Sequence, residues 1–184
     1  MPIKTIFLDR DGVINKDINY LHKIDDFEFI DGIFDACLHF QSLSYKIIII
    51  TNQSGISRGY YSHSDYQKVT QWMLDQFRYK NINILDIFHC PHGPDSTCNC
   101  RKPKPGMFYQ ASKDWLFRLD RTIFIGDDPR DCQAASNAGC KSIFLGNQEE
   151  LLELKDKELP MSVHDNLFES IPSIVEFFNR NANQ

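Results

Sequence analysis

The sequence predicts an α/β fold, a doubly wound and mostly parallel sheet. Three observations carry that expectation. Short β-branched runs alternate along the chain with longer stretches of helical periodicity. The runs are apolar on successive residues, as in KIIII at 46–50, which suits strands covered on both faces. Three of them end abruptly in polar tails: IFLDRDG, IIIITNQSG and IFIGDDPRD.

Strands are expected at 3–8, 46–50, 85–89, 121–125 and 141–145. Between them, helical spacing of apolar residues predicts helices at 31–43, 64–79, 105–117 and 130–138. Gly139 stops the last of these. Residues 147–166 are polar and acidic, and IPSIVEFF then resumes a helical stripe. A C-terminal helix over 167–180 is expected to pack on the sheet.

With 184 residues, the chain reads as one domain over 1–184, long enough to bury a core. Its 42% hydrophobic and 24% charged residues are ordinary for a soluble globular protein. No apolar run approaches the roughly 20 residues that span a bilayer, so no membrane partner is expected. The start, MPIKTIFLDRDG, lacks the plan of a signal peptide, and a cytoplasmic location is expected. A net charge of −5 argues against non-specific nucleic-acid binding, which needs broad positive surface. No self-complementary stripe is evident, and a monomer is expected.

In open α/β sheets, ligands bind beyond the carboxyl ends of the strands. The three polar tails therefore converge on one candidate site. In extended geometry Asp9 and Asp11 face one way and Arg10 the other, and Gly12 then permits a turn. Joined by Asp127, these carboxylates form an all-oxygen group that suits Mg²⁺. A carboxylate can also be a nucleophile toward phosphorus. A lone D-x-D would ordinarily cap a turn or a helix. Three tails bearing D-x-D-G, T-N and G-D-D point to catalysis instead.

Three of the six cysteines crowd into HCPHGPDSTCNC, which begins at residue 89 and runs into the cations of RKPK. Cys90, Cys98, Cys100 and a histidine supply the complement of a closed, structural Zn²⁺ site, with no position left for an activated water. Free thiols or a Cys98/Cys100 redox pair would be the alternative. By spacing alone, His89 and His92 compete as the fourth ligand.

The order DRDGVIN, TNQSG, RKPKPG and IGDDPRD resembles the four motifs of the haloacid dehalogenase (HAD) superfamily of phosphohydrolases. More closely, HKIDDFEFIDG, TNQSGISRG, CPH, CNCRKPKPGM and GDDPRD resemble the bacterial heptose 1,7-bisphosphate phosphatase family, over about residues 3–146. The resemblance implies a Rossmann-type HAD-like fold with a small flap at 15–30, a zinc loop at 89–106 and no large cap. It implies Mg²⁺-dependent removal of the C7 phosphate of the sugar bisphosphate, through an aspartyl-phosphate. The setting would be the synthesis of nucleotide-activated heptose for lipopolysaccharide or surface polysaccharide. Histidinol-phosphate phosphatases share the cysteine loop and RKPK but typically read DGT where this chain has DGV. That activity is the same-chemistry alternative, and a phosphosugar-binding module without turnover is the alternative of another class.

The roles implied by resemblance are specific. Asp9 would be the nucleophile and Asp11 the general acid and base; Asp9, the Asp11 main-chain carbonyl and Asp127 would hold Mg²⁺. Thr51 and Asn52 would bind phosphoryl oxygens, with Gln53 and Ser54 shaping the turn beside them. Lys102 would stabilise the transferring charge and Arg101 would grip substrate. CPH selects His92 as the zinc ligand. Asp17, Asn19 and Tyr20 of the flap could reach over the mouth, and Arg58 could meet a second phosphate. Around FEF, alternation suggests a short flap strand. One departure stands out: Asp128 occupies a position where these families commonly carry Lys or Arg, and Arg130 or Lys104 could compensate.

Overall fold

A computed structural model describes residues 3–182. Six strands form one sheet: β1 (Thr5–Leu8), β2 (Lys46–Asn52), β3 (Ile84–Cys90), β4 (Thr122–Gly126), β5 (Lys141–Leu145) and β6 (Val163–His164). Their order is β3-β2-β1-β4-β5-β6, and every neighbouring pair is parallel. The chain runs outward from β1 through β2 to β3, then returns to β4 on the other side. This reversal creates the crevice in which α/β sheets bind ligands. Register brings the ends together: Leu8 pairs with Ile49 of β2 and with Ile125 of β4.

Helices cover both faces, as the continuously apolar strands require. On one face α1 (Ile33–Ser42), α2 (His63–Tyr79) and α5 (Leu167–Ala182) bury Phe40, Met73, Phe77, Ile174 and Phe178 against Ile6, Leu8, Ile47 and Ile49. On the other, α3 (Gly106–Trp115) and α4 (Pro129–Ala138) bury Phe108, Ala134 and Ala135 against Phe7, Ile48 and Phe124. The expected helices thus form with boundaries shifted by a few residues. α3 ends early because Leu116 turns left-handed, at φ 55°. α4 ends where expected, in Gly139 at φ 81°.

Two local expectations fail, and one edge strand goes unannounced. The segment around FEF forms no strand, only an isolated bridge between Asn15 and Phe29, because Phe27 and Phe29 turn onto Trp72 as packing residues. The polar stretch 147–166 hides the edge strand β6, whose two residues carry too little pattern to announce it. Arg10 does not point away from the aspartates. The chain leaves extended geometry after Leu8, and the Arg10 carbonyl accepts from the N–H groups of Ile14 and Asn15 at 2.8 and 3.1 Å. That turn folds the guanidinium back onto Asp11. Among the described residues, no helix is long and apolar enough to cross a membrane.

Candidate active site

The strand ends open into a cleft of about 350 Å³. Its lining includes Asp9, Asp11, Thr51, Asn52, Gln53, Ser54, Arg101, Lys102 and Asp127, together with Asp17, Asn19, Tyr20 and Arg58. Sequence-distant residues expected to share a site therefore do share one. The cleft also recruits Tyr61, Asp128, Arg130 and Asp131.

At its floor Lys102 is buried and fully engaged. Its ammonium lies 2.7 Å from Asp9 Oδ2, 2.7 Å from Asp131 Oδ1 and 3.2 Å from the Ile50 carbonyl oxygen, one acceptor for each of its three hydrogens. Burial works against the charge, but Asp131 and Asp9 more than offset it and raise the Lys102 pKa above its ordinary value. Asn52 sets the backbone that carries it: its amide donates to the Lys102 carbonyl at 3.2 Å and accepts from the Lys102 N–H at 3.0 Å.

Asp9, Asp127 and Asp131 each offer one oxygen within 4.8 Å of the others. Burial pushes Asp9 up to about 7, against the pull of Lys102, and Asp131 and Asp11 add repulsion. Burial, then Asp9 and Asp131, push Asp127 up to about 8. Three crowded carboxylates facing one ammonium form a site short of positive charge, with the all-oxygen chemistry that a hard divalent cation takes. Two glycines make the crowding possible. A Cβ on Gly12, at φ 82°, would lie 1.7 Å from Asp127 Oδ2, and one on Gly126 would lie 2.2 Å from Asp131 Oδ2.

Asp131 is a site residue that the sequence pattern does not announce. It lies in the first turn of α4, where its carboxylate accepts from the Asp128 N–H at 3.2 Å. The spacing D-P-R-D signals a capping box, and only the turn's placement over β4 aims that cap at the cleft. Asp128 caps the same helix from the other end of the box, accepting from the Arg130 N–H at 2.8 Å. Its carboxylate also holds the Arg130 guanidinium at 2.8 and 2.6 Å. Arg130 thus balances the unusual Asp128, whereas Lys104 donates to the Cys98 carbonyl and is not part of the cleft lining.

Asp11 sits in a cradle of donors. Arg10 reaches it with Nη2 at 2.8 and 2.9 Å and with Nε at 3.2 Å, Asn15 at 2.9 Å and Gln53 at 3.0 Å. Burial opposes ionisation, yet Arg10 first, then Asn15 and Gln53, hold its carboxyl below the ordinary aspartate value.

At the mouth, Asn19 and Tyr20 adopt left-handed backbone, at φ 57° and 58°. The Asn19 N–H donates to Asp17 at 2.8 Å. The Tyr20 ring meets Tyr60 edge-on and carries the Arg58 guanidinium 5.9 Å from its centroid. Arg101 donates to the His92 carbonyl at 3.2 Å.

Beside the mouth, Cys90, His92, Cys98 and Cys100 bring three sulfurs and Nδ1 of His92 within 4.8 Å of one another. All three cysteines are free thiols, with Cys90 Sγ 3.1 Å from Cys100 Sγ and 3.8 Å from Cys98 Sγ, and His92 Nδ1 lies 3.4 and 3.3 Å from Cys90 and Cys100. His89 is not in the group; its ring packs at a tilt against Tyr66 and His63 instead.

A family model described as HAD-hydrolase-like matches residues 99–170, which agrees with the parallel sheet and its strand-end carboxylates and defines the class. A D-glycero-alpha-D-manno-heptose-1,7-bisphosphate 7-phosphatase of Photorhabdus laumondii is 49% identical over 150 residues, covering 78% of this chain and 82% of its own. An enzyme of the same name from Campylobacter jejuni is 48% identical over 150 residues, covering 82% and 86%. Among solved structures, a D,D-heptose 1,7-bisphosphate phosphatase from B. bronchiseptica, complexed with magnesium and phosphate, superposes with a TM-score of 0.85 at 31% identity, covering 95% of this chain and 99% of that one. The chain belongs to the heptose-1,7-bisphosphate 7-phosphatase family of HAD-like hydrolases.

Proposed function

We propose that this protein is a Mg²⁺-dependent phosphatase that removes the C7 phosphate of D-glycero-D-manno-heptose 1,7-bisphosphate. The observation that carries the reading is Asp9, whose carboxylate lies at the cleft floor on Lys102, 2.7 Å away, with Asp127 and Asp131 beside it. Relatives named for this reaction supply the substrate, and the two at 49% and 48% identity carry the α-anomer in their names. Neither these nor the superposed structure is named for histidinol phosphate.

Asp9 attacks phosphorus in line with the sugar oxygen; the new O–P bond forms as the old one breaks. Asp11 gives the departing oxygen a proton, then takes one from the water that hydrolyses the aspartyl-phosphate. Such acid–base help is worth roughly 10²–10⁴-fold. Arg10 keeps Asp11 ionised at rest, so its acid form is reached as the dianionic substrate approaches and favours protonation. Thr51 donates to a phosphoryl oxygen, while Lys102, fixed in place by Asn52, offsets the transferring charge from the floor through its field. Asp9, Asp127 and the Asp11 carbonyl would hold Mg²⁺, with Asp131 as a third carboxylate; bound there, it neutralises repulsion between carboxylates and phosphate. Cys90, His92, Cys98 and Cys100 would hold a structural zinc beside Arg101 and Lys102. Lys102 and Arg130 are paired with carboxylates, which leaves Arg58 and Arg101 to receive the second phosphate. The whole chain acts as one catalytic unit, with 15–30 as its flap.

The test is phosphate release from the bisphosphate with Mg²⁺, for the wild type and for Asp9→Asn. Release by the wild type and its loss in the variant are expected. Unchanged release in the variant excludes the nucleophile. A kcat/KM for histidinol phosphate equal to or above that for the bisphosphate overturns the substrate.

A further inference from the structure

Gln53 is 2% exposed and every polar hydrogen of its side chain is committed. Nε2 donates to Asp11 Oδ2 at 3.0 Å and to Thr51 Oγ1 at 2.9 Å, while Oε1 accepts from the Tyr61 hydroxyl at 2.7 Å. An amide can be turned end for end at almost no steric cost, which would aim Oε1 at the Asp11 carboxylate. Turned, Oε1 would face a carboxylate that only accepts, and the Tyr61 proton would lose its acceptor; hydroxyl and carboxylate thus select the same amide orientation from its two ends. We propose that Tyr61 is a positioning residue that acts through Gln53, fixing at once the orientation of the Asp11 carboxylate and the direction of the Thr51 hydroxyl proton.

The second effect follows from donor accounting. Thr51 Oγ1 receives an N–H from Gln53, so its own hydrogen is turned away from Gln53 and toward the cleft that Thr51 lines. One contact thus sets a proton donor and a proton acceptor for the same reaction. Tyr61 itself is held on both faces. Its ring stacks on His22 at 5.3 Å and 10°, and it fills the space left by Gly55, where a Cβ would lie 2.1 Å from Cε1. Buried between these contacts, the hydroxyl is pre-organised rather than recruited.

This inference rests on the phosphatase reading, and the experiment separates the two. Kinetics on the heptose bisphosphate are measured for the wild type, Tyr61→Phe, Gln53→Ala and the double variant. Tyr61→Phe keeps the ring and is expected to lower kcat by about tenfold, with KM within about twofold, as loss of one buried hydrogen bond implies. In the Gln53→Ala background the same change is expected to lower kcat by less than about twofold, since the relay is already cut. A Tyr61→Phe kcat within about twofold of wild type overturns the assignment, and so does an equal loss in both backgrounds. If Tyr61→Phe does not fold, Tyr61→Met serves. It removes the hydroxyl and keeps apolar volume, so a lowered kcat with retained KM supports the relay and an unchanged kcat overturns it. Absence of wild-type turnover rejects the phosphatase reading, and the relay falls with it.

Discussion

Lys102 Nζ lies 2.7 Å from Asp131 Oδ1, and both side chains are 2% exposed. The pair joins two otherwise separate devices. Asp131 belongs to the capping box that starts α4, and Lys102 follows the Cys/His loop. Their contact ties helix, loop and Asp9 into one floor, so the cation proposed to face phosphate is held without its own flexible stem deciding where it sits.

Removing Asp131 should therefore damage stability and chemistry together. Asp131→Ala leaves a buried ammonium with one carboxylate fewer and deprives the Asp128 N–H of its acceptor. Breaking a buried pair typically costs roughly 3–5 kcal/mol. A fall of about that size in the free energy of urea unfolding is expected, together with weaker Mg²⁺ activation of phosphate release. Unfolding indistinguishable from wild type removes the structural role argued for this pair.

Gly12 is irreplaceable for a different reason. Alanine there meets both a left-handed backbone, at φ 82°, and an Asp127 oxygen 1.7 Å from the new carbon. Asp127 must move, and displacement of a catalytic group by about 1 Å can cost about 10²-fold in rate. Gly12→Ala is expected to lose at least that in kcat, whereas Gly59→Ala, whose Cβ would meet nothing within 4 Å despite φ 72°, should lose little. Comparable kcat values for the two variants rule out the steric explanation.

Much of this site is legible in the sequence, for physical reasons. Asp9, Thr51 and Asp127 each follow an unmistakable apolar run, so the end of the strand is enough to locate them. Asp131 and Arg10 resist such reading. One reads as a helix cap and the other as the outward partner of a D-x-D, and only the turn after Leu8 and the placement of the first turn of α4 beside the cleft bring them inward. Tyr61 sits in a loop rich in tyrosine, where nothing in the pattern separates an anchored hydroxyl from an exposed ring such as Tyr60, 55% exposed. Arg130 and Lys104 are equally plausible partners for Asp128 by charge alone, and the reach of Arg130 across a single helical turn decides between them.

The Cys/His cluster makes a prediction that needs no substrate. Purified without chelator, the protein should contain about one zinc, because three thiolates and an imidazole fill a tetrahedral shell. Cys98→Ser should lower zinc content and melting temperature together, since binding energy at such a site is folding energy. Because the loop runs directly into Arg101 and Lys102, phosphatase activity should decline as zinc is stripped even with Mg²⁺ in excess. Fully active, thermally unchanged protein with no zinc removes the site.

Arg58 offers the sharpest division between binding and chemistry. It lies over the Tyr20 ring at the mouth of the cleft, while Asp9 and Lys102 occupy its floor. A guanidinium there can grip a second phosphate through two parallel hydrogen bonds without touching the one being transferred. Arg58→Ala should therefore raise KM for the heptose bisphosphate by about tenfold or more, the worth of one charge-assisted hydrogen bond, and change kcat by less than about twofold. For a heptose carrying only the C7 phosphate, the same substitution should leave kcat/KM within about twofold of wild type. If both substrates lose equally, Arg58 acts on the reacting phosphate or on the flap, and the second phosphate belongs to Arg101 alone.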